Sequence, residues 1–148
     1  MFLRILALIA LLALPSAAWT QKGDDDSPPP VHIWTVRNQC REPIRIALNY
    51  LTAEETAEGG IVGRVVTRGW WMVPPYTEVE IRMLGEWIGY FAVSLSYSLR
   101  WSDPAGPKFG LDLERNFDYA GDGRRARWID GFILRSVIER PIETLTCN

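Results

Sequence analysis

From His32 onward the apolar residues of this chain recur at every second position, a period that sets one face of a β-strand and not of a helix. Ile44, Ile46, Leu48 and Tyr50 share a face against Arg45, Ala47 and Asn49. Val79, Ile81 and Met83 oppose Glu78, Glu80 and Arg82. The longest run puts Phe91, Val93, Leu95, Tyr97, Leu99 and Trp101 on one side, with Ser94, Ser96 and Ser98 as a polar stripe on the other. Phe109, Leu111 and Leu113 continue the pattern, with Lys108, Asp112 and Glu114 outward. Turn residues separate the runs at Glu58-Gly59-Gly60, Pro74-Pro75, Asp103 to Pro107 and Gly121-Asp122-Gly123. With Trp128 to Ile138 and Ile142 to Cys147, about seven or eight strands are expected. The expected fold is all-β, one domain over 31–148, an antiparallel β-sandwich or closed barrel. Thr52 and Glu55 have capping-box spacing but no apolar stripe follows, so 52–58 reads as a turn or one helical turn inside a hairpin loop.

The segment ahead of this domain reads as an export signal over residues 1–18. Arg4 and the terminal amine precede an apolar run from Ile5 to Leu14, Pro15 breaks it, and Ser16-Ala17-Ala18 offers small residues for cleavage. An uncleaved anchor is the competing reading, opposed by the shortness of the run and by its interruption at Pro15. No later stretch of the sequence is long and apolar enough to span a bilayer. Residues 19–30 read as a flexible acidic and proline-rich linker, its Asp24-Asp25-Asp26 run a solvated charge cluster and not a cation cage. Losing Arg4 with the signal takes the formal charge from −2 to −3, which gives no reason to expect nucleic acid as a partner. A periplasmic or secreted protein is therefore expected, and in such compartments Cys40 and Cys147 can pair. Their bond would join the ends of the first and last strands; two free thiols are the alternative if those ends are apart.

Asn38, Ile46 to Tyr50, Gly69-Trp70-Trp71-Met72-Val73-Pro74, Tyr90-Phe91-Ala92, Trp101, Phe109 and Phe117 occur in an order that resembles the DUF1036 family, small exported bacterial proteins of unknown function. The resemblance covers Val31 to about Phe117, and its most specific part is the Gly-Trp-Trp motif. It implies export and the strand order, and it brings no activity. Relatives usually carry a cysteine shortly after a Pro-Gly, where this chain has Pro75 to Glu78, and another after the phenylalanine matching Phe109, where it has Gly110. Any disulfide those positions make in the family is absent here.

Candidate sites follow from residue chemistry. Neighbours on a strand face opposite ways, so one of Trp70 and Trp71 is expected outside, able to stack on a sugar, a lipid headgroup or a partner's apolar pocket; packing under a loop is the alternative. Arg68, in phase with Trp70, is expected to stack on its ring. Arg124, Arg125 and Arg127 beside Trp128 form a basic cluster that suits a phosphate or acidic glycan, unless neighbouring carboxylates neutralise it. Asp112, Glu114, Asp118 and Asp122 are the carboxylates from which a glycosidase-like pair would be drawn, though a solvated face is the plainer reading. Asp118 to Gly123 resembles the start of a calcium loop, but Ala120 and Ile129 stand where ligands are required, so no metal is expected. His32 is the sole histidine, at the domain's edge, without a triad or zinc pattern around it. No cofactor is implied. The sequence thus favours a non-enzymatic binding module for an envelope component or protein partner. A carboxylate-dependent hydrolase and a structural envelope protein joined through a strand edge are the alternatives.

Overall fold

A computed structural model of the protein describes residues 29–147. The expected signal (1–18), most of the linker (19–28) and Asn148 lie outside the described residues. The described chain is all-β, with thirteen strands and no helix among its elements. Strand β1 (His32–Asn38), β6 (Glu78–Met83) and β13 (Ile142–Leu145) make one sheet in the order β13-β1-β6. A central sheet has the order β10-β5-β2-β7-β12, from β10 (Phe117–Ala120), β5 (Val65–Val73), β2 (Ile44–Leu51), β7 (Trp87–Ser94) and β12 (Ile133–Ser136). The short β8 (Arg100–Trp101) adds to β7, and β9 (Lys108–Leu111) pairs with β11 (Trp128–Gly131) as a third, smaller layer. The sheets do not close into a barrel; the sandwich is the architecture adopted.

Two apolar clusters, one on each face of the central sheet, explain this layering. Between the large sheets, Trp34, Val36, Ile81, Met83 and Leu145 meet Ile44, Ile46, Leu48, Val66, Ile88 and Tyr90. On the other face, Ala47, Phe91, Val93 and Phe117 meet Leu111 and Phe132 of the outer layer. Strands β2 and β7 are therefore buried on both sides, which is why all but Trp87 of β7 is buried. Full burial of each large apolar side chain contributes about 1.5–3 kcal/mol, so both faces carry stabilisation.

Several expectations from periodicity are corrected. The run from Phe91 to Trp101 is not one strand: β7 ends at Ser94, a tight turn occupies 95–99, and β8 folds back so that Ala92 pairs with Trp101. Tyr97 takes φ 59° there, and its amide donates to the Ser94 carbonyl. Ser94, Ser96 and Ser98 consequently form no stripe on a sheet face; their hydroxyls bond one another inside this turn. Trp128 to Ile138 likewise splits into β11 and β12 at the buried Phe132, where the chain passes from the outer layer to the central sheet. For 52–58 the turn within a hairpin holds and the helical turn does not. These residues belong to a small hairpin of β3 (Glu54–Glu55) and β4 (Ile61–Val62), and the Thr52 hydroxyl accepts from the Arg64 amide instead of capping a helix.

The ends meet as expected. Strands β1 and β13 pair in parallel, Asn38 opposite Leu145, and Cys40 and Cys147 just beyond them are disulfide-bonded with Cα atoms 5.3 Å apart. Asn38 sets the approach: its buried amide donates to the carbonyls of Glu42, Val73 and Pro74, while its Oδ1 accepts from the Cys40 amide at 2.7 Å.

Candidate functional site

The expected site residues divide between packing and surface. Trp70 and Trp71 are both half-buried. Opposite β2 the register skips a residue, Ile46 pairing with Trp71 and Ala47 with Gly69, so Trp70 is the extra residue of a bulge. That extra residue changes the phase. Trp71 packs against the inter-sheet core with Tyr50 at 6.3 Å, whereas Trp70 turns to the outer layer, against Phe91 and Phe117. Its Nε1 donates to the Asp112 carbonyl at 2.7 Å. Arg68 is therefore not the cation over Trp70: Arg45 lies there, 4.6 Å from the ring centroid, also donating to the Tyr97 hydroxyl. Arg68 is on the opposite face, bonded to Asp118 and Tyr50.

The carboxylates part in the same way. Asp112 and Glu114 do not share a strand face, because β9 ends at Leu111 and Asp112 Oδ1 caps the following turn, accepting from the amides of Glu114 and Arg115. Asp118 and Asp122 come together with Arg124 and Arg125 at a cleft of about 470 Å³. Asp118, Tyr119 and Ala120 of β10 line one side, and the turn carrying Arg124 and Arg125 lines the other. Arg127 lies over the Trp128 ring, 5.5 Å from its centroid. His32 opens β1 opposite Met83, away from these carboxylates' cleft lining.

The cleft exists because the chain reverses sharply after β10. Gly121 and Gly123 adopt φ of 62° and 66°, a region glycine enters without steric cost. The Gly121 amide donates to the Val65 carbonyl, and its own carbonyl accepts from the Thr67 hydroxyl at 2.6 Å. The turn is then pinned from below, the Gly110 amide donating to the Asp122 carbonyl at 2.7 Å. A side chain at Gly110 has no room, since its Cβ would lie 2.0 Å from the Gly123 oxygen.

Electrostatically the cleft is basic at its rim and neutralised at its wall. Asp118 Oδ2 accepts from Arg68 at 2.6 Å and Arg64 at 3.3 Å, and the Arg68 hydrogen bond holds its carboxyl below the usual carboxylate range. Asp122 accepts from the Arg124 guanidinium and, at 3.2 Å, from the Arg124 amide. Arg125 is exposed and makes no ion pair among the described residues. Sequence reasoning missed the β10 wall itself, Tyr119 and Ala120 included; the paired turn glycines were the one local signal for it. Elsewhere, Glu42 accepts from the Ser96 amide, the bond that chiefly lowers its pKa, and so anchors the β7–β8 turn to the loop after Cys40. Among the described residues no helix is long and apolar enough to cross a membrane.

Comparison of the chain with protein-family models, with curated proteins and with solved structures finds no match.

Proposed function

We propose that this protein is an exported, non-enzymatic binding module whose cleft between β10 and the 122–126 turn takes an anionic envelope component or protein partner. The observation that carries this reading is the position of Arg124 and Arg125 on the rim of that cleft, with the neighbouring Asp118 already neutralised by two other arginines. Two exposed guanidinium groups on the rim of an open hollow, Arg125 without an ion pair among the described residues and Arg124 paired with Asp122, favour an acidic ligand over a neutral one. The half-buried Trp70 and Trp71 serve this reading as packing beneath the surface. Export, to periplasm or medium, rests on the signal-like residues 1–18, and kinship with DUF1036 on the Gly-Trp-Trp motif.

Capture from the native envelope with tagged protein tests it. A component retained by the wild type and lost with the R124E/R125E double variant supports the assignment, whereas equal retention moves the site elsewhere.

A hydrolase is the second reading, because Asp118 and Asp122 line the same cleft. It requires one carboxyl to keep its proton near neutral pH, and Asp118 is shifted the other way. Turnover of chromogenic glycosides that disappears in both D118N and D122N would establish the hydrolase and displace the binding module.

A further inference from the structure

Strand β10 ends the central sheet. Among the described residues it pairs only with β5, so one row of its backbone donors and acceptors is free, and the cleft opens along Asp118, Tyr119 and Ala120 on that strand. The two edges of the smaller three-stranded sheet are guarded. Exposed Glu78, Glu80 and Arg82 lie along β6, and Pro141 stands directly before β13. Strand β10 has neither lysine nor proline, and its single charge, Asp118, is drawn back by Arg68 on the paired strand. An unguarded edge beside a hollow is the geometry of strand addition, in which main-chain bonds hold an extended peptide and side chains select it. The selecting groups here are Arg124 and Arg125.

Resting on the binding reading above, we infer that the occupant of the cleft is an extended acidic peptide segment of a partner protein, added as a further strand on β10 with its carboxylates on Arg124 and Arg125. Arg125 offers an unpaired guanidinium among the described residues, and Arg124 can exchange its local partner Asp122 for an incoming carboxylate. A free phosphate or an acidic sugar would use the arginines but leave the strand edge unsatisfied, which is why the peptide is favoured.

The test is a fluorescence-anisotropy titration at low salt of the full protein with a labelled Val-Glu-Val-Glu-Val-Glu peptide. Saturable binding is expected, weakened roughly tenfold or more by lysine in place of glutamate, by methylation of alternate peptide amides, or by R124E/R125E. Slower amide exchange at residues 118–120 in the complex is expected as well. Should R124E/R125E lose its native circular dichroism, R124Q/R125Q replaces it with the same expectation. Equal affinity for the amide-methylated peptide overturns the inference. So does cleft binding of inorganic phosphate or a sulfated disaccharide with none of the peptide, and then the anion-binding reading stands alone. If none of the three binds, both fall. A concentration-dependent dimer in sedimentation, with 118–120 protected, overturns the inference in favour of a second copy at this edge.

Discussion

Asn38 is a single side chain on which the join between sheets and disulfide depends. It satisfies three carbonyls and one amide at the start of the loop holding Cys40. Asn38→Ala would leave these groups buried without that partner, and a loss of about 1–3 kcal/mol is expected in urea unfolding. Asn38→Asp should not rescue it, since the three carbonyls need a donor. Asp118 gives a pH signature. Its pKa is lowered on folding, so its contribution is full above the unfolded value of about 4 and is lost as the pH falls through the folded value. Because the pair is partly exposed, D118N is expected to cost only about 0.5–1 kcal/mol at pH 7. The difference between D118N and wild type should shrink as the pH falls below about 4, as read by urea midpoints over a pH series. The residue-scale sequence reading named Asp118 and Arg68 but paired Arg68 with the wrong neighbour, because Trp70 is itself the extra residue of a bulge and so lies on the face opposite Arg68.

At the scale of elements, alternation identified β2, β6 and the second half of β7, where burial really changes every second residue or both faces are covered. It failed where the chain reverses without glycine, as at Tyr97, or crosses layers through a buried aromatic, as at Phe132. The period of two runs unbroken through Tyr97, so it does not mark the reversal there. The bulged part of β5 makes a testable claim: each tryptophan serves a different core. Trp70→Ala and Trp71→Ala should each cost about 2–4 kcal/mol, and because the two side chains enter separate core clusters the double variant should lose more than either single one. Thermal or urea unfolding of the three variants measures this. The β9 position beneath the turn is equally strict. Gly110→Ala forces its methyl onto the Gly123 carbonyl, and a loss of about 1–3 kcal/mol is expected with a disturbed cleft.

For the whole molecule, the disulfide closes a separation of 107 residues between the two parallel end strands. In the chain-entropy account a loop of that size contributes up to about 4–5 kcal/mol, so C40S/C147S should unfold at a much lower urea concentration with its native spectrum retained in buffer. The R124E/R125E variant is the opposite case: both side chains are exposed, and its stability should stay within about 0.5 kcal/mol of wild type.

Read alone, the sequence determined the all-β class, the pairing of Cys40 with Cys147 as an expectation, and the chemistry available for a site. These depend on period and composition, which are local. The tertiary structure decided that the central sheet is covered on both faces, that Trp70 and Trp71 enter separate cores, and that β10 is left at an open edge beside Arg124 and Arg125. Strand order and layer contact come from long-range packing between residues far apart in the chain, and no local pattern encodes which edge remains unpaired.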